Sequence, residues 1–125
     1  MSYKVIVDSC GELTPDMKKA GNIFTASLTL NVGGHLVVDD ETFDQADFLV
    51  RVARCSECPK SSCPSPEAYM KAFEGEEERV YVVTLSAELS GSYNSAVLGK
   101  ICSLRSTDRK ISTFSIPGPL LWVRR

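Results

Sequence analysis

The sequence lacks any long apolar run, any excess of positive charge and any export signal. No apolar segment approaches the roughly 20 residues that a membrane-spanning helix needs. The short apolar segment after Lys4 ends at Asp8, which is too early for a signal peptide. The formal net charge is −2, whereas proteins that bind nucleic acid regardless of its sequence present a basic face. We therefore expect a cytoplasmic protein that neither crosses a membrane nor binds nucleic acid.

Patterns that build common catalytic centres are also missing. The single histidine, His35, follows a Gly-Gly pair, and no His-Asp partner pattern surrounds any serine or cysteine. The sequence contains neither a Gly-x-x-x-x-Gly-Lys phosphate loop nor Gly-x-Gly-x-x-Gly. We therefore predict a protein that is not an enzyme and that needs no cofactor.

Five cysteines are present, and three of them lie close together. Cys55-x-x-Cys58 has the spacing of half a zinc site, and Cys63 follows shortly after. The remaining cysteines and His35 form no second paired motif that would supply the other ligands. Reduced thiols are therefore predicted, with a cysteine-based metal or redox site as the alternative.

Apolar periodicity alternates between strand and helix along the chain. Gly33-Gly34 predicts a β-hairpin between its two flanking strands, and Thr14-Pro15 is a favoured helix start. This order predicts an α/β fold, a mainly parallel sheet with helices on both faces and a β-hairpin insertion. The predicted strands are 3–7, 23–32, 35–38, 80–85 and one from 110; the predicted helices are 14–20, 42–54, 66–73 and 90–104, with a loop over 55–66. The apolar stripe expected on the second helix is Phe43, Ala46, Leu49, Val50 and Ala53.

Serine and glycine are concentrated where the strand 80–85 leads into a helix. In a parallel sheet, binding sites lie beyond the carboxyl ends of the strands. A helix start offers unpaired N–H groups and a partial positive charge. Ser90 and Ser92 add hydroxyl donors, and Gly91 allows close approach to the backbone. This segment predicts a site for a carboxylate or phosphate, unless Ser90 only caps its own helix.

Two further polar segments are candidates for the same site. The strand 3–7 ends in the turn Asp8-Ser9-Cys10-Gly11. The serine-rich loop from Pro59 to Pro66 contains Ser61 and Ser62, and its later prolines stiffen it, so hydroxyls would be presented at low entropic cost.

Three motifs in this order resemble the DegV family over residues 3 to about 114. Asp8 to Pro15 is similar to the family's opening Asp-Ser segment, and Pro59 to Pro66 is similar to its Pro-Lys-Thr-Ser-Gln-Pro-Ser-Pro loop. Leu89 to Ala96 is similar to its Leu-Ser-Gly-Thr-Tyr-x-Ser-Ala helix start. Three residues depart from these patterns: Ser61 and Ser92 each replace threonine, and Cys63 replaces glutamine.

The resemblance implies a carrier of one long-chain fatty acid, with a fatty-acid kinase as the partner that phosphorylates the carboxylate. It places Ser61 and Ser90 near that carboxylate. The full predicted ligand-binding set is Ser9, Ser61, Ser62, Ser90, Gly91 and Ser92. Replacement of glutamine by Cys63 leaves the hydrogen bonding of the loop open.

The resemblance also divides the chain. We expect residues 1–114 to correspond to an N-terminal α/β domain, without the second domain that closes over the acyl chain in the family. Residues 115–125 depart from the family, and one choice of codons for them reads in another frame as Asp-Ser-Arg-Ala-Ser-Ser-Val-Gly-Glu-Thr, similar to the family's continuation. We therefore expect a frameshifted tail, with a natural short tail as the alternative. A domain truncated in this way is expected to bind ligand incompletely and to self-associate, and a purely structural fragment is the alternative function.

Overall fold

The structure, a computed structural model, describes residues 2–104 and 109–116. Strands and helices alternate along most of the chain. Their bounds are β1 Tyr3–Asp8, α1 Pro15–Lys19, β2 Ile23–Ala26, β3 Thr29–Val32, β4 His35–Val38, α2 Gln45–Arg54, β5 Lys60–Ser62, α3 Pro66–Phe73, β6 Arg79–Thr84, α4 Ser92–Ser103 and β7 Lys110–Ser115.

The main sheet has four parallel strands in the order β2-β1-β6-β7. A separate antiparallel sheet has the order β4-β3-β5. The predicted α/β class, with a mainly parallel sheet and a β-hairpin insertion, is confirmed. The hairpin joins β3 to β4 through Gly33 and Gly34, whose φ angles of 55° and 86° are those that glycine adopts without strain.

The segment 23–32, predicted as one strand of the hairpin, is divided between the two sheets. β2 pairs with β1, whereas β3 pairs with β4 and β5. The break lies at Leu28, whose N–H is bonded to Ser9 Oγ and whose carbonyl accepts from Asp39 N. These bonds replace ladder partners, so the chain leaves the parallel sheet there.

One face of the main sheet is covered by α3 and α4. The cluster of buried side chains joins both helices to alternate residues of the four strands: Ile6, Ala26, Tyr69, Phe73, Val80, Val82, Ala96 and Ile111. On the other face, Tyr3 and Phe114 are about half exposed. Among the described residues, the buried core therefore lies on the face that α3 and α4 cover.

The crossing of α3 over α4 is close because Gly99 has no side chain. A Cβ at Gly99 would lie 2.8 Å from the carbonyl oxygen of Pro66 and 3.2 Å from Tyr69 Cβ. Real Cβ atoms do not approach a backbone oxygen so closely. Glycine at this position therefore sets how near Tyr69 comes to α4.

The last turn of α3 is held by a buried lysine. Lys4 is only 5% exposed, and its Nζ donates to the carbonyl oxygens of Ala72, at 3.2 Å, and Glu74. Glu77 lies 3.5 Å from the same Nζ. These contacts lie at the amino ends of the strands, opposite to the polar turns that the sequence singles out.

Three helix predictions need correction. The second helix begins at Gln45, not Thr42, because Asp44 caps it by accepting from Asp47 N at 3.0 Å, while Thr42 is bonded to Asp40. No residue of α2 is buried, so its apolar stripe does not pack on the core. The last helix begins at Ser92, not Ser90. The predicted loop 55–66 also contains β5, which pairs with β3.

No helix in the described part of the chain is long and apolar enough to cross a membrane.

Candidate functional site

The polar turns after β1 and β6 lie side by side at the carboxyl edge of the main sheet. This follows from topology, because β1 and β6 are neighbouring parallel strands with Val7 opposite Val83. The turn after β1 begins at Asp8, and residues 85–91, which we name the β6–α4 loop, follow Thr84. The expectation that these two turns share one edge is confirmed.

Asp8 is the centre of this edge. Its side chain is fully buried, and Oδ2 accepts from Leu85 N at 2.8 Å and from Ser92 Oγ at 3.0 Å. No group in the described part of the chain bonds Oδ1 with normal hydrogen-bond geometry. Burial raises the pKa of the Asp8 carboxyl, and the N–H groups of Leu85 and Cys10 and the Ser92 hydroxyl oppose this only in part.

A second buried hydroxyl extends the network from Asp8. Tyr69 OH lies 2.6 Å from Ser92 Oγ, and both residues are fully buried. With Asp8 ionised, the single proton of Ser92 is donated to the carboxylate, so Ser92 Oγ accepts the proton of Tyr69. Burial also raises the pKa of Tyr69, so this phenol keeps its proton. The contact connects β1, α3 and α4.

The β6–α4 loop is folded by bonds to its own atoms and to β7. Ser86 O accepts from Leu89 N at 3.0 Å and Ser90 N at 3.1 Å, and Ser86 Oγ accepts from Glu88 N. Ala87 N donates to Ser115 Oγ at 2.9 Å. These bonds give the loop one defined shape at the start of α4.

Ser90 is a half-buried residue of this loop whose hydroxyl can still donate a hydrogen bond. Its Oγ accepts from Ser92 N at 3.2 Å, which satisfies one N–H of the α4 start. The helix itself is capped by Gly91, which forms no side-chain bond. A hydroxyl that accepts a bond still has its own proton to donate, and no acceptor for it is present in the described part of the chain. The capping alternative and a ligand role for Ser90 are therefore compatible.

The serine-rich segment lies against the start of α4. Ser61 and Ser62 are exposed residues of β5. Cys63 Sγ is 3.7 Å from Ser95 Oγ, and a Cβ at Gly91 would lie 3.2 Å from the same sulfur. Cys63 therefore contacts the first turn of α4. Through this contact the loop is bonded to α4, although cysteine replaces the family's glutamine.

Ser9 lies on the other side of β1 in a different environment. Its Oγ accepts from Leu28 N at 2.9 Å. It lines a cleft whose other walls include the carboxylates of Glu12, Asp39 and Glu41. Lys18 also lines this cleft, but the carboxylates outnumber it, so the rim is unfavourable for an anionic ligand.

Sequence reasoning did not identify Asp8 or Tyr69 as site residues. A carboxylate directly after a continuously apolar strand is a usable signal for Asp8. Tyr69 carries no such signal, because its partner Ser92 is 23 residues away.

All five cysteines are free thiols. Within residues 2–104 and 109–116, no three histidine, cysteine, aspartate or glutamate side chains lie together as a metal site requires. Absence of a metal stays a prediction.

Comparison with known proteins identifies the family. The sequence model of the DegV family, described as an uncharacterised protein family, matches residues 2–112. The chain belongs to the DegV family. A DegV domain-containing protein of Streptococcus pneumoniae is 37% identical over 102 residues, which are 80% of this chain and 36% of the relative.

Solved structures of DegV proteins match the fold. A DegV family protein of Ruminococcus gnavus, solved with vaccenic acid, is 50% identical with a TM-score of 0.87 over 91% of this chain and 41% of that chain. The Streptococcus pneumoniae Fatty Acid Kinase (Fak) B3 protein, loaded with linoleic acid, is 36% identical with a TM-score of 0.78, again over 91% and 41%. The chain thus spans about two fifths of the length of these relatives.

Proposed function

We propose that this chain forms the head-group part of a fatty-acid site, in which Ser90 and the start of α4 hold the carboxylate. Ser90 carries the proposal because its hydroxyl accepts from Ser92 N and keeps a proton to donate. Two similar solved proteins contain vaccenic and linoleic acid, which share a carboxylate and differ in the acyl chain.

The start of α4 adds to the attraction for an anion. α4 is 12 residues long, and such a helix has a partial positive charge at its amino end. Gly91 at the cap is exposed, although Cys63 lies against the space that a side chain here would fill. Ser61 and Ser62 lie on the segment that contacts this turn through Cys63, and we assign them secondary contacts to the head group. No catalytic residue is proposed.

The described residues can bury only part of the apolar surface of a bound acyl chain. Burying each CH₂ contributes about 0.8 kcal/mol, and pockets for such ligands commonly lie at domain junctions. Leu89, beside Ser90, is largely exposed. We therefore propose that tight binding requires a second domain, and that the complete protein presents the carboxylate to a fatty-acid kinase, in keeping with the name of the pneumococcal Fatty Acid Kinase (Fak) B3 protein. A cytoplasmic location is part of the same proposal.

The test is an NMR titration of the 125-residue chain with decanoate, using decanol as the matched ligand without a carboxylate. We expect decanoate, but not decanol, to shift the amide signals of Ser90, Gly91 and Ser61. Equal shifts with both ligands would show apolar contact without recognition of the carboxylate. Shifts confined to the acidic cleft at Ser9 would place the site elsewhere and refute the assignment of Ser90.

A second candidate function is a self-associating fragment. Leu98 and Ile101 lie three residues apart on α4, and Leu104 follows at its carboxyl-terminal cap; each is about half exposed, whereas the buried residues of α4 are Ser92, Ala96 and Gly99. Such an apolar stripe favours association. Sedimentation velocity of the wild-type chain and of a Leu98→Lys/Ile101→Lys variant distinguishes this candidate: a dimer that the variant abolishes supports it, and a wild-type monomer contradicts it.

A further inference from the structure

A single carboxylate oxygen joins the two ends of the β6–α4 loop. Asp8 Oδ2 bonds the N–H of Leu85, the first residue of the loop, and the hydroxyl of Ser92, the residue that follows it. Asp8 belongs to β1, the neighbouring strand of the rigid sheet. The separation of the loop ends is therefore fixed from outside the loop.

Ser92 transmits this constraint to Ser90. Its side chain is bonded to Asp8 and Tyr69, and its backbone N–H donates to Ser90 Oγ at 3.2 Å. Rotation or displacement of Ser92 would therefore move the N–H that orients the Ser90 hydroxyl. The Ser92 hydroxyl donates to Asp8 and accepts from Tyr69 within the protein, and the residue is fully buried.

Tyr69 completes the arrangement from the opposite side. Because Ser92 donates to Asp8, it needs a donor, and the phenol of Tyr69 supplies it at 2.6 Å. Donation polarises the Ser92 hydroxyl and strengthens its bond to the carboxylate. Tyr69 thereby couples the position of α3 to the site edge.

We propose that Asp8, Ser92 and Tyr69 are positioning residues that hold the β6–α4 loop in its ligand-ready shape, and that Ser92 acts through Ser90 without touching the ligand. The ligand part of this statement rests on the proposed function above. The positional part concerns the loop alone and is independent of what binds there.

Two measurements on the 125-residue chain test it, namely ¹⁵N heteronuclear NOE values for residues 86–91 and the Kd for decanoate. The variants are Tyr69→Phe, which removes one hydroxyl and keeps the ring, and Ser92→Ala. Lys4→Met is the control, since it removes buried hydrogen bonds to the same helix α3 at the other end of the sheet. We expect both site variants to lower the NOE values of the loop and to raise the Kd at least about fivefold, the scale of one hydrogen bond. Lys4→Met should lower Tm and leave both readouts unchanged.

Additivity separates positioning from contact. If Ser92 acts through Ser90, the Ser90→Ala/Ser92→Ala double variant binds decanoate no more weakly than the weaker-binding single variant. Additive losses would show that Ser92 contacts the ligand. A loop that stays as ordered in Tyr69→Phe as in wild type would overturn the proposal. Should wild type show no response to decanoate, the proposed function fails, and the NOE values alone decide whether these residues position the loop.

Discussion

Replacement of Ser90 by alanine is expected to weaken fatty-acid binding about 5- to 30-fold. A typical hydrogen bond contributes about 0.5–1.5 kcal/mol and one to a charged group about 1.5–3 kcal/mol; for the half-buried Ser90 we take about 1–2 kcal/mol, and each 1.4 kcal/mol is a factor of about ten in affinity. The variant also loses the bond from Ser92 N, 3.2 Å long, which stabilises a helix start by about 1 kcal/mol. For a chain of this size, that loss lowers Tm by roughly 4 °C.

The assay needs a form that binds tightly. We suggest joining residues 2–112, the part that matches the family, to the remaining portion of the Ruminococcus gnavus relative, and measuring Tm and the Kd for vaccenic acid on the same samples. Thr14→Ala is the control, because it also removes a hydroxyl that accepts from a backbone N–H at a helix start, but at α1 and not at the β6–α4 loop. Unchanged affinity with a reduced Tm would show that Ser90 only caps the helix, and the proposed head-group site would be wrong.

Four other outcomes are expected. The unfolding free energy of wild type relative to Asp8→Asn should fall as pH rises from about 3.8 through the raised pKa of Asp8, and it should level off above that pKa. The reason is that the folded state binds one more proton than the unfolded state in that pH range. Urea titrations across pH 3.5–7.5 measure this difference, and a rise would contradict burial as the dominant cause of the shift. Protein purified without added metal should contain no stoichiometric zinc at Cys55 and Cys58, which metal analysis checks directly. The 125-residue chain alone should bind a fluorescent fatty acid only weakly and should self-associate; tight one-to-one binding by the monomer would mean that this part carries the whole site. Sequencing of the gene should show the DegV continuation in another frame after residue 114, and a downstream frame without it would exclude the frameshift.

Local sequence patterns predicted the strands and helices better than they predicted what each strand or helix pairs with or packs against. The continuous apolar strands 3–7 and 80–85 and the Gly33-Gly34 hairpin follow from local chemistry, and all are present. The segment 23–32 is predicted as one strand because alternating apolar residues indicate a strand but not which neighbouring strand it pairs with. The hydrogen bonds at Leu28 divide it between the two sheets. The stripe on α2 likewise identifies an apolar face without showing that anything covers it.

The candidate site was predictable to the same extent. Ser90 and Gly91 are predicted as site residues because a serine-rich turn before a helix has a chemical meaning on its own, and their role stays a prediction. Asp8 and Tyr69 could not be assigned, because their roles depend on a side-chain network that spans 84 residues between Asp8 and Ser92. The frameshifted tail is predicted for residues 115–125, of which 117–125 lie outside the described residues, so the tail stays a prediction.

The close crossing at Gly99 has a consequence for how relatives of this chain can diverge. A residue with no functional group of its own determines the spacing between α3 and α4, and hence whether the phenol of Tyr69 reaches Ser92. A methyl group there would push the Pro66 end of α3 away and lengthen the 2.6 Å contact. Selection for the site would therefore act on Gly99 as well as on the polar residues, and alanine would require a compensating change in α3.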